Sequence, residues 1–166
     1  MTRRPVPQPP GPGQESVWDY PRPPRVERVD ARIEVILGGE CIASTEHAWR
    51  VLETSHPPNY YLPPDAFRPG SVLPASGSSF CEWKGAATYW TLTGGDRVAE
   101  AAAWSYPEPT PAFVVLRDHL ALYAGRVDRC TVAGEVVTPQ PGGFYGGWVT
   151  STVVGPFKGG PGTAGW

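Results

Sequence analysis

Cysteine, charge and long hydrophobic runs are all scarce in this sequence. Its 166 residues include three cysteines, none of them in a C-x-x-C pair. An odd number of widely spaced cysteines favours neither a disulfide framework nor a structural zinc site, so we expect reduced thiols and no metal. No stretch approaches the ~18 apolar residues of a membrane-spanning helix, and prolines stand where a signal peptide has its apolar segment. These features predict a cytoplasmic protein without a membrane partner.

Charged side chains are sparse as well, since Asp, Glu, Lys and Arg make up only 18% of the chain. The 14 basic and 16 acidic side chains give a formal net charge of −2. Binding to nucleic acid through its phosphates needs a clustered basic face, which this balance does not provide. We therefore expect no nucleic-acid partner.

Glycine, proline and aromatic residues are abundant. The chain has 20 Gly and 21 Pro, together with 7 Trp, 7 Tyr and 5 Phe. This length is typical of one domain, and so many large rings predict a packed core. Residues 1–15 are rich in proline, so we expect a disordered arm that can bind a protein partner in extended form. Residues 16–138 form the predicted β domain, and the Gly- and aromatic-rich residues 139–166 are expected to pack on it.

Short segments separated by Gly and Pro predict β-strands. The clearest is a hairpin at residues 32–44, where apolar residues alternate before the turn Gly38-Gly39. We expect a short helical turn at residues 46–50 and one short helix at residues 112–118. Further strands are predicted at residues 51–52, 60–62, 80–83, 87–93, 97–104, 120–123 and 128–137. The predicted fold is mainly β, a single compact antiparallel domain or open barrel with one or two short helices.

Seven unusual strings follow one another along the chain. They are Ser16–Arg25 (SVWDYPRPPR), Val51–Tyr61 (VLETSHPPNYY), Cys81–Gly85 (CEWKG), Ala103–Pro107 (AWSYP), Tyr123–Asp128 (YAGRVD), Gly142–Trp148 (GGFYGGW) and Gly155–Gly162 (GPFKGGPG). In this order they resemble the bacterial and fungal family called domain of unknown function 427, over roughly residues 16–166. The resemblance implies a compact β-tent-like fold. It does not extend to the zinc of many β-tent proteins, because their cysteine pairs are missing here.

Glu53 lies between an apolar run and the rigid segment that continues through His56, Pro57 and Pro58. A carboxylate at the end of a strand, beside a rigid turn, can be held at the mouth of a cavity and act there as a general base. The alternative is a glutamate that accepts hydrogen bonds from the backbone of an irregular turn. The family motif includes this residue, and we select it as a catalytic candidate.

Lys84 is the second catalytic candidate, because it is flanked by Trp83 and by Gly85, which permits close backbone approach. Such a lysine can lose its hydration and act as a base or Schiff-base amine, or it can stay charged and hold an anion. The alternative is a lysine whose alkyl chain covers apolar surface. Of the two functional interpretations, the pattern favours anion binding over covalent chemistry.

Arg126 and Asp128 are two residues apart, so in an extended segment their side chains lie on one face. Arg126 can bind a carboxylate or phosphate while Asp128 orients it; the alternative, which we favour, is an internal ion pair. Aromatic side chains can line the same pocket, although in small β domains they more often belong to the core. The ligand-binding candidates are Trp83, Trp104, Tyr106, Tyr123, Arg126 and Asp128.

The remaining reactive side chains give weaker signals. The three histidines lack the close spacing of metal ligands, and we interpret His56, which precedes Pro57, as a turn residue. Cys81 is interpreted as a small apolar residue rather than a nucleophile. Lys158 does not lie in a phosphate-binding loop motif, which counts against nucleotide chemistry. We expect no cofactor.

The sequence thus predicts an aromatic-walled polar pocket that binds a small anionic or carbonyl-bearing metabolite. If the pocket is catalytic, Glu53 moves a proton while Lys84 or Arg126 stabilises the negative charge that develops. Two alternatives stay open. The family resemblance carries a nucleotidyltransferase-like label and so implies a nucleotide-dependent transferase, whereas the proline-rich arm suggests a non-catalytic protein-interaction module.

Overall fold

The β structure is divided over many short strands. A computed structural model describes residues 4–166. Within these residues the strands are β1 (Glu15–Ser16), β2 (Arg25–Arg28), β3 (Ile33–Leu37), β4 (Glu40–Thr45), β5 (Trp49–Leu52), β6 (Asn59–Tyr61), β7 (Val72–Cys81), β8 (Gly85–Gly94), β9 (Arg97–Ser105), β10 (Ala121–Leu122), β11 (Arg129–Val132), β12 (Glu135–Val136), β13 (Thr138–Pro139), β14 (Trp148–Val149) and β15 (Val153–Val154). Short 3-10 helices cover Val17–Asp19, Pro64–Ala66, Pro111–Leu116 and Ala124–Arg126.

These strands form several open sheets. Two have four strands, in the orders β10-β9-β8-β7 and β12-β11-β3-β4, and a third has the order β2-β5-β6. Strand β1 pairs in parallel with β15, and the other strand pairs in the described part of the chain are antiparallel. The predicted compact, mainly β, antiparallel domain is confirmed. Among residues 4–166, no helix is long and apolar enough to cross a membrane.

The predicted hairpins form where glycine turns separate alternating apolar residues. Strands β3 and β4 join at Gly38 and Gly39, both of which have positive φ, and β8 joins β9 after Gly94. The two turns touch, because a Cβ at Gly38 would overlap the carbonyl oxygen of Gly94. Only residues without a side chain allow this approach. The two four-stranded sheets therefore meet at their glycine turns.

Two local predictions are wrong in detail. The segment expected to be a helical turn at residues 46–50 contains the start of β5, whose residues pair with β2 on one side and β6 on the other. The hydrogen bonds of two neighbouring strands outweigh a weak local helical preference. The strand expected at residues 80–83 ends at Cys81, and residues 82–84 form the turn between β7 and β8. The short helix expected at residues 112–118 is the 3-10 segment Pro111–Leu116.

The apolar side chains form one large cluster and two smaller ones. The large cluster includes Ile33, Leu62, Leu92 and Leu122 from four different strands or loops. A second cluster, around Tyr61, Trp104 and other aromatic residues of β6, β9 and the 3-10 helix Pro111–Leu116, lies beside the cavity described below. Burial of these rings fixes the strand ends that carry the polar side chains of the site.

Both ends of the described chain contact each other. The backbone N–H of Gln8 donates to the carbonyl oxygen of Gly155 at 2.8 Å, and Gln14 Nε2 donates to the carbonyl oxygen of Ser151 at 2.9 Å. The Trp148 indole is 1% exposed and donates from Nε1 to the carbonyl oxygen of Leu122 at 3.1 Å. The C-terminal segment is thereby held against the sheets.

Candidate functional site

An open cavity of about 610 Å³ lies beside the aromatic cluster. Its walls come from the end of β5, from β6, from the hairpin β7–β8, from β9 and from the glycine-rich loop 142–147. Six of the eight predicted site residues line it: Glu53, Lys84, Trp104, Tyr106, Tyr123 and Arg126. Its volume is in the range of cavities that bind small molecules.

Lys84 is buried in the wall of this cavity without a counter-ion. The residue is only 6% exposed, and it lies in the tight turn between β7 and β8. Its Nζ lies 5.7 Å from the ring centre of Tyr106 and 5.9 Å from that of Phe113. Within residues 4–166, Nζ makes neither a hydrogen bond nor an ion pair. Among the described residues, the contacts that favour its charge are the faces of these two rings.

Glu53 and His56 are brought together by a tight turn. The N–H of His56 donates to the carbonyl oxygen of Glu53 at 3.0 Å, and Ser55 between them has a φ of 73°. A non-glycine residue with this φ is uncommon, and here the surrounding hydrogen bonds to Val17 and Lys158 hold it. The turn puts His56 Nε2 3.5 Å from Glu53 Oε2.

Only one oxygen of the Glu53 carboxylate is in contact with these partners. Arg22 Nε donates to Oε2 at 3.3 Å, and His56 Nε2 faces the same oxygen. Oε1 makes no hydrogen bond within residues 4–166. Glu53 is thus oriented by Arg22 and His56 through one oxygen while its other oxygen is free to accept a proton.

Gln140 determines which nitrogen of His56 carries the proton. Its Oε1 accepts from the N–H of Gly147 at 3.0 Å, and its Nε2 donates to the carbonyl oxygen of Lys158 at 2.8 Å. An N–H can only donate and a carbonyl only accept, so the orientation of the amide is fixed. The same Nε2 lies 3.0 Å from His56 Nδ1, which must therefore accept. The neutral imidazole consequently carries its proton on Nε2, facing Glu53.

His56 is neutral at ordinary pH. Burial is the main cause and lowers its pKa to about 4. Glu53 opposes this shift, whereas the charges of Lys158, Arg22 and Lys84 add to it. His56 is therefore suited to donating a hydrogen bond from Nε2 rather than to carrying a charge.

Two polar atoms on β6 have no hydrogen-bond partner among the described residues. They are Asn59 Oδ1 and the Tyr61 hydroxyl, and both residues line the cavity. Burial raises the pKa of Tyr61 well above its ordinary value, so the hydroxyl keeps its proton. Nearly all buried polar atoms in folded proteins have partners, so this pair is unusual.

Two further cations lie at the cavity against aromatic rings. The guanidinium of Arg126 lies 4.1 Å from the ring centre of Tyr123 and donates to the carbonyl oxygen of Ala101 at 3.1 Å. Lys158 Nζ lies 5.6 Å from the ring centre of Tyr145 and donates to the main-chain oxygen of Trp166 at 3.2 Å. Neither cation is paired with an Asp or Glu side chain in the described part of the chain.

Trp83 and Asp128 lie outside the cavity lining. Trp83 packs beside the aromatic cluster, and its carbonyl oxygen accepts from Thr110 Oγ1. The ion pair that the sequence favoured, between Arg126 and Asp128, does not form, because Asp128 pairs with Arg97 at 2.7 Å. Its other oxygen accepts from the N–H of Gly39 at 2.8 Å. Asp128 therefore links the two glycine turns.

The glycine-rich loop closes one side of the cavity. A Cβ at Gly146 would overlap the Trp104 ring, so the backbone lies directly on that indole. The Tyr123 hydroxyl donates to the carbonyl oxygen of Phe144 at 3.3 Å, and the Phe144 ring is 75% exposed. The loop thus contributes backbone and rings to the site, and close contacts require glycine at Gly142, Gly146 and Gly147.

The family of this chain follows from a match to a known sequence profile. Residues 25–133 match the family described as domain of unknown function (DUF427). The chain belongs to this family. The match includes both catalytic candidates, whereas Gln140, Tyr145 and Lys158 lie beyond it. A comparison with curated proteins found no match. Within residues 4–166, the DUF427 chain has no group of three or more His, Cys, Asp or Glu side chains arranged to hold a metal ion.

Sequence reasoning missed or undervalued several cavity residues. His56 was interpreted as a turn residue, and it is one, but the turn also aims its ring at Glu53. The spacing of three residues between two acid–base side chains was the available signal. Asn59 and Gln140 had no such signal, because their roles depend on partners far away in the sequence. Lys158 was considered only as a possible member of a phosphate-binding loop motif, and its place in the cavity wall was not predicted.

Proposed function

We propose that the cavity binds a small organic anion and that Lys84 holds its charge. The observation that carries this proposal is the burial of the Lys84 ammonium without a counter-ion. Burying an unpaired charge is unfavourable, and buried charges in folded proteins are usually paired with a counter-ion or bound to a metal. An anionic group of a ligand is such a partner.

The remaining walls support the same ligand class. Arg126 and Lys158 add positive charge at the cavity, whereas the negative charge of Glu53 is already balanced by Arg22. The half-buried rings of Tyr123 and Tyr145 and the exposed ring of Phe144 line the cavity and give an apolar surface on which the body of a ligand can pack. A small carboxylate or phosphate with an apolar body matches this combination.

Glu53 gives the site a means of moving a proton. With a carbonyl-bearing anion bound, the free oxygen Oε1 removes a proton from the carbon next to the carbonyl group. The electron pair of that C–H bond forms a carbon–carbon double bond while the π pair of the C=O bond moves onto the oxygen, and Lys84 stabilises the resulting enolate. Return of the proton to another atom of the ligand completes an isomerisation. These steps are carried by side chains of this chain alone.

The proposal is tested by replacing Lys84 with methionine. In Lys84→Met we expect an unchanged or higher Tm without ligand, because an uncompensated buried charge is removed. We expect carboxylates and phosphates to bind about 10- to 100-fold more weakly, in keeping with the loss of a charged hydrogen bond worth ~1.5–3 kcal/mol. Thermal shift and isothermal titration calorimetry with a panel of small organic acids and nucleotides measure both quantities.

The matched control is Arg129→Met, which removes a cation from an exposed position of β11. It should leave binding unchanged. A lower Tm of Lys84→Met, together with normal binding, would show that Lys84 is a structural residue and would contradict the proposal. Deleting residues 1–12 should also preserve binding, whereas a loss would indicate that the proline-rich arm is part of the binding surface.

A further inference from the structure

Lys84 and Arg126 present positive charges to the same cavity from different depths. Lys84 is 6% exposed, and its Nζ, although without a hydrogen-bond partner among the described residues, is not fully enclosed. Arg126 is exposed and lines the cavity from the 3-10 helix Ala124–Arg126. One cation therefore lies in the buried wall, and the other lies at the open side of the same space.

The guanidinium of Arg126 is held in place by its stacking on Tyr123. It lies 4.1 Å from the ring centre, and the Tyr123 hydroxyl donates to the carbonyl oxygen of Phe144 at 3.3 Å. The N–H of Arg126 donates to the carbonyl oxygen of Tyr123 at 3.0 Å, so the backbone turns back towards this ring. A guanidinium that is already oriented loses little conformational freedom when it binds an acid.

An irregularity in β9 supplies a hydrogen-bond acceptor for this guanidinium. The pairing of β8 with β9 shifts register after Trp90, and Ala101 in the shifted segment has a φ of 50°. Its carbonyl oxygen accepts from Arg126 Nη1 at 3.1 Å, and its N–H donates to Thr91 Oγ1 at 3.2 Å. Bulges and non-glycine residues in this region of φ occur preferentially near functional sites. The strained segment thus orients Arg126 towards the cavity.

Arg126 has no acidic side chain as a partner within residues 4–166. Asp128, the closest acidic residue along the sequence, pairs with Arg97 at 2.7 Å and accepts from the N–H of Gly39 at 2.8 Å. Glu82, an exposed residue of the cavity lining, makes no ion pair with Arg126 in the described chain either. The remaining N–H donors of the guanidinium form a fork suited to a carboxylate or phosphate.

Resting on the proposed anion site, we infer that the ligand is a small molecule with two separated acidic groups. One acidic group pairs with Lys84 inside the cavity, and the other binds the Arg126 guanidinium at the open side. Lys84 contributes affinity for acids in general. Arg126 selects diacids over monoacids, because only a diacid of suitable length reaches both cations.

The first experiment compares matched ligands on the full chain by isothermal titration calorimetry. The probes are the linear dicarboxylates from malonate to suberate, phosphonoacetate and 3-phosphonopropionate. Each is paired with the monoacid that has a methyl group in place of one carboxylate. We expect diacids of one length, or of two adjacent lengths, to bind about 10-fold more tightly than their monoacids. Added salt should reduce this advantage, because Arg126 is exposed.

Variants of Arg126 identify the second contact. In Arg126→Met the best diacid should bind only as tightly as its monoacid, while the affinity for the monoacid stays the same. Arg126→Lys keeps the charge but not the fork of donors, so it should retain part of the advantage. The matched control is Arg129→Met, which removes an exposed cation outside the cavity lining and should retain all of it.

The outcomes separate this inference from the proposed function. If diacids and monoacids bind equally and both weaken in Lys84→Met, the anion site is supported and the second acidic group is rejected. If diacids of every length have the same advantage and Arg129→Met reduces it as much as Arg126→Met, long-range charge explains it and the inference is rejected. If none of these acids binds at millimolar concentration, the inference is overturned. The proposed function is then decided by Tm and by the other acids of its panel in Lys84→Met.

Discussion

Lys84 and His56 are two buried basic side chains in one cavity, and the protein accommodates them differently. His56 stays neutral, with its two nitrogens facing Gln140 and Glu53. The Lys84 ammonium lies beside the Tyr106 and Phe113 rings and has no hydrogen-bond or ion-pair partner within the described residues. A neutral buried imidazole with fixed partners is satisfied without a ligand, whereas a buried unpaired cation is not. At the scale of residues, Lys84 is therefore the side chain on which the proposed binding of an anion rests.

The tautomer of His56 gives a prediction that needs no ligand. In long-range ¹H–¹⁵N NMR spectra near pH 7, His56 should have a protonated Nε2 and an unprotonated Nδ1, because Gln140 donates to Nδ1. In Gln140→Glu the carboxylate can only accept while Nε2 still faces Glu53, so Nδ1 should become protonated as well.

His119 is an internal reference for this measurement. Its Nδ1 lies 3.0 Å from the carbonyl oxygen of Arg117, which can only accept, so the opposite tautomer is expected there. It should not change in Gln140→Glu. Protonation of His56 on Nδ1 in the unaltered chain would contradict the arrangement of Gln140, His56 and Glu53.

At the scale of elements, the glycine-rich loop is as important to the cavity as the strands. Residues 142–147 have no regular secondary structure, yet they are fixed by contacts with Trp104, Tyr123 and Gln140. The following residue, Trp148, stacks on Tyr60 with ring centres 5.0 Å apart. The loop is therefore a tightly packed wall rather than a flexible connection.

Gly146→Ala tests this packing. The added methyl group would overlap the buried Trp104 ring, which cannot move without disturbing the aromatic cluster. We expect a loss of about 1–3 kcal/mol in the free energy of unfolding, as is typical of overpacking. Gly160→Ala is the matched control, because no atom lies within 4 Å of its added Cβ. Chemical denaturation of both variants measures the difference, and equal stabilities would show that the loop adapts freely.

At the scale of the whole molecule, the cavity joins segments that are far apart in the chain. His56 and Gln140 are separated by 84 residues. The buried Lys84, the half-buried Lys158, the exposed Arg126 and the Glu53–His56 pair share one open space. The stability of the fold is therefore coupled to the protonation of the site.

Stability should depend on pH through His56. Its pKa is about 4 in the folded chain, compared with an ordinary value of 6.5, so the unfolded chain takes up the proton first as pH falls. The free energy of unfolding should therefore decrease between about pH 6.5 and 4. In His56→Gln this part of the decrease should be absent, which thermal unfolding across this range can measure. An equally steep decrease in the variant would assign the effect to other groups.

Local sequence was sufficient to predict much of the fold and some residues of the site. The hairpin β3–β4 was predictable because alternation and a Gly-Gly turn act within a dozen residues. Glu53 and Lys84 could be selected as candidates from the sequence because each has rigid or bulky residues next to it. The prediction of a helical turn at residues 46–50 failed because the local preference for helix is weak there. Pairing of this segment with two neighbouring strands outweighs it.

The sequence by itself determined a mainly β chain with glycine turns, many large rings and a shortage of charge. Only the tertiary structure decided that Asp128 pairs with Arg97, that Gln140 orients His56, and that Lys84 is buried without a counter-ion. The physical reason is that turns and strands depend on neighbours in the chain. The environment of a polar side chain depends on distant segments that fold against it.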